Sequence, residues 1–114
     1  MSRPREEPSV AAASVVLLPV QSEADRVAVA VLACPAVVRL SGGRGGEVAT
    51  YLPGRQVVGV RLTDAGAVVH VVGAYGPTCT VIGEQVRAAV RSVLGPRPVA
   101  VGIDDLELDP LAPR

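Results

Sequence analysis

The sequence contains no Lys, Phe or Trp, and Tyr51 and Tyr75 are its only aromatic residues. Without Lys it cannot form a P-loop, which needs Gly-Lys-Ser/Thr at the start of a helix to hold nucleotide phosphates. RNA-recognition domains stack bases on aromatic side chains of a sheet, and this sequence offers no such set. The core must therefore be built from Val, Leu, Ile and Ala, of which the β-branched residues favour extended backbone.

Charged residues and thiols point to no particular chemistry. Eleven basic and eleven acidic residues give a formal net charge of zero, so no overall field attracts nucleic acid or an anionic membrane. Cys34 and Cys79 form neither a CxxC motif nor a metal-ligand spacing. We predict that they are reduced thiols of a cytoplasmic protein, with a single disulfide as the alternative.

His70 is the only histidine, and it lies among valines in a predicted strand. A catalytic imidazole needs a nucleophile and an orienting carboxylate beside it. Cys34, Cys79 or Ser41 could reach His70 only through the fold, because no sequence motif links them to it. We predict a structural histidine satisfied by a neighbour or by solvent, and hence no catalytic residue, cofactor, metal ion or small-molecule substrate.

The length of 114 residues predicts one domain, which we place at residues 22–105. Residues 1–21 are predicted to be an amino-terminal arm that is flexible or partly extended, and residues 106–114 an acidic tail. The apolar run at 10–20 is too short to cross a bilayer, which takes about 20 residues. Within that run, residues 14–18 are predicted to be extended and to pair with an edge of the sheet.

The first predicted helix begins at a capping box formed by Ser22 and Asp25, and Pro35 ends it because proline lacks an amide donor. One face carries apolar residues at helical spacing, namely Ala24, Val27, Ala28, Val31 and Cys34. The opposite face carries three more, Val29, Leu32 and Ala33, which we call the outer apolar face. Such a helix offers a contact surface or is covered on both sides, here by the arm. The outer apolar face is our candidate interface.

Three strands are predicted between this helix and a second one. Residues 47–52, a Pro53-Gly54 break and two valine-rich segments separated by residues 63–66 predict a meander. Gly66 is expected to supply the positive φ that a short turn needs. The side chains expected to face each other across the last two strands are those of Val58, Val60, Leu62, Val69 and Val71. Residues 36–40 are predicted to be a connector.

A second helix is predicted from Thr78 or Thr80 to Leu94, and a last strand follows in which Val99, Val101 and Ile103 alternate with smaller or polar residues. The order of elements predicts an α+β fold. We expect a two-layer α/β sandwich with a mainly antiparallel sheet, formed by the three-stranded meander plus the carboxyl-terminal strand, and two helices on one face.

The glycine-rich run between the connector and the meander has two interpretations. Its amides could converge on an anion, with Arg44 adding a charged fork. Phosphate sites and KH-type RNA clamps place such loops beside helices, whereas this one enters an extended segment, so a structural turn is the preferred interpretation. We name the run and one nearby Arg as the candidate interaction loop: Ser41, Gly42, Gly43, Arg44, Gly45, Gly46 and Arg55.

Seven segments of the sequence agree in order and spacing with one known family. They are ADRVAVAVLA (24–33), PAV (35–37), LSGG (40–43), EVATYLPGR (47–55), VGV (58–60), VVHVVGAYG (68–76) and PVAVGIDD (98–105). Together they resemble the alkaline shock protein family of envelope stress response proteins, especially its short actinobacterial-type members. Ala36 stands where that family usually has Gly, and residues 80–83 replace its usual Pro-Glu-Val.

The resemblance implies a cytoplasmic, non-enzymatic protein linked to cell-envelope homeostasis, which self-associates or is held near the membrane by an integral membrane protein. It implies no catalytic residue. We therefore expect an interaction module whose partners are itself, an integral membrane anchor protein, or both. The alternative is a small nucleic-acid-binding domain that uses Arg44, Arg55 and Arg61 around the candidate interaction loop. Nucleic acid is the less favoured partner, because the net charge is zero.

Overall fold

The computed structural model of the chain describes residues 22–108. The elements are helix α1 (Glu23–Leu32), strands β1 (Val37–Leu40), β2 (Ala49–Leu52), β3 (Arg55–Val58), β4 (Val60–Leu62) and β5 (Ala67–Ala74), helix α2 (Cys79–Leu94) and strand β6 (Val99–Glu107). Two helices pack against a mainly antiparallel four-stranded sheet, beside a small hairpin of β2 and β3. The predicted fold class is confirmed. The predicted arm, including the pairing of residues 14–18 with a sheet edge, lies outside the described residues.

Strand β5 is the centre of the sheet, because both of its edges are hydrogen-bonded. One edge pairs in parallel with β6, from Ala67 opposite Val99 to Ala74 opposite Glu107. The other edge is shared by two antiparallel strands, with β4 opposite residues 67–69 and β1 opposite residues 71–73. The parallel pair arises because α2 carries the chain back across the sheet between β5 and β6. Strand β6 continues two residues beyond the predicted end of the domain.

The valine-rich stretch 58–62, expected to be part of one strand, belongs to two. Gly59 has a φ of +90° and interrupts the stretch. Val60 begins β4 and pairs with Val69, as predicted. Val58 ends β3 in the separate hairpin and is 44% exposed. The expectation that Val58 faces β5 is therefore wrong, because the backbone turns between the two valines.

Gly66 is required for a reason other than the predicted one. Its φ is not positive, and the turn is closed by Thr63, whose hydroxyl accepts a hydrogen bond from the Gly66 amide at 3.0 Å. A Cβ atom on residue 66 would overlap the carbonyl oxygen of Pro98. The predicted positive φ is wrong, and the glycine is needed because the chain leading into β6 passes directly against it.

The segment 36–40, predicted to be a connector, contains strand β1. The strand pairs with β5, with a register shift between Val37 and Arg39. Its start is fixed to both layers, since the Ala36 amide donates to Gln85 Oε1 of α2 at 3.0 Å and the Ala36 carbonyl accepts from the Ala74 amide at 2.9 Å. Four residues are too few to show a clear alternating pattern in the sequence.

The two helices cover one face of the sheet and are capped largely as predicted. The Ser22 hydroxyl accepts from the Asp25 amide at 3.1 Å, and the Asp25 carboxylate accepts from the Ser22 amide at 2.8 Å. Thr78, of the two candidates, caps α2. Within residues 22–108 no polar or charged residue is buried. The largest fully buried side chains are Val27, Val31, Val60, Val69, Val71, Ile82, Val86 and Val90.

Two glycine substitutions test this packing and should act in opposite directions. Gly66→Ala should destabilise the protein by about 1–3 kcal/mol, because the new methyl group meets backbone that cannot move away. Gly83→Ala should stabilise it by about 0.5–1 kcal/mol, because Gly83 lies inside α2 and a Cβ there meets only Arg87 Nη1, at 3.6 Å. Urea unfolding of both variants measures the two changes. Equal effects of the same sign would contradict the account.

Candidate functional site

The candidate interaction loop is a closed turn held by its own groups. Gly43 and Gly46 have φ values of +82° and +75°, which favour glycine. The Gly46 amide donates to the Gly43 carbonyl at 3.3 Å, and the Gly45 amide donates to Glu47 Oε1 at 3.0 Å. Because these amides are already bonded and a carboxylate lies among them, the loop does not present a set of converging donors to a phosphate.

Ser41 joins this loop to the sheet through two residues from other strands. Its hydroxyl donates to Asp104 Oδ2 at 2.6 Å, and Asp104 Oδ1 lies 2.9 Å from Nδ1 of His70. We call these three residues the Ser41–Asp104–His70 clasp. With its proton on Nδ1 the imidazole donates to the carboxylate, and Nε2 is left as an acceptor. Ser41 and His70 were candidates from the sequence, whereas Asp104, which lies 34 positions from His70, was not.

Hydrogen bonds stabilise the ionised form of Asp104. The Ser41 hydroxyl, and then the His70 ring, hold the pKa of this carboxyl below its ordinary value, although partial burial acts in the opposite direction. Asp104 is therefore a carboxylate at neutral pH and ties the loop to β5 and β6 as an acceptor. Ionised Asp104 stabilises the folded protein fully above the pKa that this residue has in the unfolded chain. That stabilisation is lost as the pH falls through the lower pKa that Asp104 has in the folded protein.

The imidazole of His70 lies against the backbone of β6. Gly102 is opposite His70 in the β5–β6 pair, and a Cβ on residue 102 would lie 2.5 Å from His70 Nε2. The ring thus occupies the space that a side chain at position 102 would take. Gly102 is a further residue of this site that was not predicted, although a glycine inside a predicted strand is a signal of close approach.

The candidate nucleophiles are not arranged around the imidazole. The Ser41 hydroxyl donates to Asp104 and not to His70. Cys34 Sγ lies 3.4 Å from the Gln85 carbonyl, where burial raises its pKa, and Cys79 begins α2. Both thiols are free in the described part of the chain. The clasp therefore holds the loop in position but does not place a base against a nucleophile.

An open depression of about 440 Å³ surrounds the clasp. It is lined by Ser41, Gly43, Arg44, Glu47, His70, Ile103 and Asp104. The guanidinium of Arg44 and the carboxylates of Glu47 and Asp104 give the depression no strong electrostatic potential of one sign. Both oxygens of Asp104 are already hydrogen-bonded within the clasp. Across residues 22–108 no group of three His, Cys, Asp or Glu side chains is placed to hold a metal ion.

Arg55, assigned to the candidate interaction loop from the sequence, is bound to α1 instead. Its guanidinium donates to both oxygens of Asp25, Nη1 to Oδ1 at 2.8 Å and Nη2 to Oδ2 at 2.7 Å. The Arg55 hydrogen bond is the main reason that the pKa of Asp25 lies well below its usual range. Arg44 makes no ion pair with any residue that the structure describes. The two arginines therefore do not form one basic cluster.

The outer apolar face is exposed along α1. Val29 is 61% and Leu32 48% exposed, and Ala33 beyond them is exposed as well. The opposite side of the helix carries Ala24, Val27 and Val31, which are fully buried against the rest of the domain. Between 22 and 108, neither helix is long and apolar enough to cross a membrane. The structure thus places Val29, Leu32 and Ala33 together on one accessible surface.

Comparisons with known proteins found no relative: no family model, no curated protein and no solved structure matches the chain. The resemblance to the alkaline shock protein family therefore rests on the seven sequence segments alone.

Removing the Ser41 hydroxyl should raise the pKa of Asp104, because that hydroxyl is the first cause of its lowering. The Ser41→Ala variant should also lose less stability than the natural protein when the pH is lowered below about 4. The reason is that the pKa of Asp104 in the folded variant lies closer to its pKa in the unfolded chain. Carboxyl NMR titration and unfolding at several pH values measure the two effects.

Ser92→Ala is the matched control for this substitution. Ser92 donates to the Ala89 carbonyl within α2 at 2.6 Å and has no part in the clasp. The control should leave the Asp104 titration unchanged. An unaltered Asp104 pKa in Ser41→Ala would show that the Ser41–Asp104 hydrogen bond does not form in solution.

Proposed function

We propose that this protein is a non-enzymatic interaction module of the alkaline shock protein type, acting in the cell-envelope stress response. It self-associates, or is tethered by an integral membrane protein, through the outer apolar face. The observation that carries the proposal is the exposure of Val29 and Leu32 on a helix whose other face is in the core. Exposed apolar surface of this kind is typical of contact sites between macromolecules.

The outer apolar face is presented on a rigid support. The capping box fixes the start of α1, and the two hydrogen bonds from Arg55 to Asp25 join its first turn to the hairpin. At the other end, Cys34 contacts the Gln85 carbonyl of α2. A partner that binds this face does not have to order the helix first, so little of the contact energy is lost to conformational entropy.

The size of the face predicts the strength of the contact. Full burial of a Val or Leu side chain contributes about 1.5–3 kcal/mol, whereas a stable interface buries roughly 800 Å² on each partner. Three side chains cover less than that, so we expect reversible association of micromolar strength in the absence of further contacts. A two-fold arrangement would bring the same residues of two copies together.

The nucleic-acid alternative has less support. It required Arg44, Arg55 and Arg61 to act together around the candidate interaction loop. Arg55 is already paired with Asp25 on α1, and Glu47 adds a negative charge next to Arg44 in the lining of the depression. Phosphate contacts would therefore be few, and affinity at physiological salt depends on their number.

Substituting the outer apolar face should weaken association without unfolding the helix. Val29→Gln combined with Leu32→Gln removes the apolar contact and keeps residues of good or moderate helix propensity. We expect the dissociation constant of self-association, measured by sedimentation, to rise at least about tenfold. A benzophenone side chain at position 33 should crosslink to a second copy or to an integral membrane protein recovered from membranes.

The matched control is Tyr51→Gln combined with Val58→Gln. These two apolar residues of the hairpin are also exposed but do not belong to the outer apolar face. The control should associate like the natural protein. A strict monomer at high concentration, together with no membrane protein crosslinked at position 33, would reject the proposal.

A further inference from the structure

Strand β6 lies at the edge of the sheet, and among the described residues only its inner side is paired, with β5. The Ala67 amide donates to the Pro98 carbonyl at 3.0 Å. In a parallel pair this pattern directs the backbone groups of the even-numbered residues at the start of β6 towards β5. The backbone groups of Val99, Val101 and Ile103 therefore point outwards, away from the sheet.

The first five residues of this outer edge lack the features that normally prevent pairing. Edge strands are usually protected by charges, prolines or bulges, and residues 99–103, Val-Ala-Val-Gly-Ile, contain none of them. Pro98 precedes the stretch, and Asp104 and Asp105 follow it, where the register with β5 shifts. Residues 99–103 are therefore an edge on which another strand can form.

The side chains of residues 99–103 alternate in size and in the face of the sheet on which they lie. Val101 and Ile103 line a groove between β6 and α2, so the larger side chains lie on the helical side. Ala100 and Gly102 lie on the opposite side, because successive strand residues point to opposite faces. In either direction the stretch reads large, small, large, small, large. An antiparallel copy of it therefore places large residues opposite large ones and small residues opposite small ones.

We infer that the edge of β6 pairs with the same edge of a second copy of this chain, as antiparallel strands related by a two-fold axis at Val101. Val101 then lies opposite its own counterpart, Val99 opposite Ile103, and Ala100 opposite Gly102. Because the odd-numbered residues direct their backbone groups outwards, each of their pairs can exchange both backbone hydrogen bonds. Their branched side chains meet on the helical side, which is a favourable cross-strand pairing.

The charged residues beyond the two ends of the stretch favour this register. Arg97 lies two positions before Val99, and the exposed Asp105 lies two positions after Ile103. Antiparallel pairing about Val101 brings the Arg97 end of each copy to the Asp105 end of the other, so opposite charges meet at both ends. Moving the axis to residue 99 or 103 would instead set Arg97 or Asp105 opposite Val101.

The two charged groups differ in how far they are already paired. Arg97 donates to Glu23 at 2.9 Å and keeps 38% of its side chain exposed. Asp105 makes no ion pair with any residue from 22 to 108. An exposed carboxylate of one copy can therefore approach the accessible part of the Arg97 guanidinium of the other.

The groove of about 330 Å³ between β6 and α2 leaves room for the second strand. Val101 and Ile103 are only half-buried, and Gly83 leaves its side of the groove without a side chain. A strand added to β6 lies about 4.8 Å beyond it, so its branched side chains would cover this groove. The Val99 carbonyl accepts a long hydrogen bond from Arg87 Nε at 3.4 Å, and its oxygen has a second lone pair for the added strand.

The contact is separate from the outer apolar face, so it adds a second surface to the function proposed above. Helix α1 packs over β1 and β4, whereas the outer edge of β6 lies on the other side of β5. Two copies joined at β6 therefore still expose one outer apolar face each, and both contacts can form at once.

Amide hydrogen exchange over a dilution series tests the inference. The double glutamine variant of the outer apolar face is used, so that the result does not depend on that contact. At high protein concentration the Val101 and Ile103 amides should exchange at least about tenfold more slowly than after dilution, because an amide exchanges only while its hydrogen bond is open. The Ala100 and Gly102 amides bond to β5 and should stay slow at every concentration, which reports that the variant is folded.

Two substitutions of Asp105 in the same variant test the register. Asp105→Arg brings like charges together at both ends and should move the midpoint of the dilution curve to a concentration at least about threefold higher. Asp105→Glu keeps the charge and is the matched control, which should leave the midpoint unchanged. An unchanged midpoint in Asp105→Arg would overturn the pairing about Val101.

Two results of the dilution series would overturn the inference. Fast exchange of the Val101 and Ile103 amides at every concentration would show that nothing pairs with this edge. Slow exchange that dilution leaves unchanged would identify a segment of the same chain, and not a second copy, as the occupant.

Discussion

Hydrogen bonding along both edges of β5 holds together the four-stranded sheet on which the rest of this domain is built. On the edge away from β6, the partner of β5 changes from β4 to β1 at His70. The His70 amide donates to the Gly59 carbonyl at 2.9 Å, and the His70 carbonyl accepts from the Ser41 amide at 2.9 Å. The side chain of the same residue meets Asp104 on the other edge. The central strand therefore fixes where the glycine loop lies, whereas hydrogen bonds within the loop close its turn.

The sequence predicted the features that local patterns determine. The capping box at Ser22, the amphipathic α2 and the alternation in β6 follow from neighbouring residues, and they were enough for the fold class. Features that depend on distant residues were missed or misassigned. The need for glycine at position 66 comes from the Pro98 carbonyl, which passes against it. The strand break at Gly59 and the short strand β1 depend on pairing with β5. The clasp joins positions that are far apart in the chain. Arg55 was placed at the loop because its partner on α1 could not be read from the sequence.

The carboxyl groups with the most strongly shifted pKa values are hydrogen-bonded within the domain, whereas the outer apolar face is exposed to solvent. Asp25 and Asp104 are bonded to Arg55, Ser41 and His70, so the most perturbed carboxyl groups act in holding elements together. Structural ion pairs also shift pKa values, so these shifts do not by themselves identify a catalytic site. The outer apolar face, by contrast, is exposed to solvent within residues 22–108. This exposure, and not the shifted carboxyl groups, is the basis of the contact function proposed for the protein.

The central claim is that the outer apolar face, and not the depression around the clasp, is the surface where this protein meets others. Amide NMR shifts followed over a dilution series test it most directly, because they locate a reversible contact residue by residue. We predict concentration-dependent shifts centred on Val29, Leu32 and Ala33, with Ser41 and His70 unaffected. Shifts centred on His70 and Asp104, with none along α1, would contradict the claim.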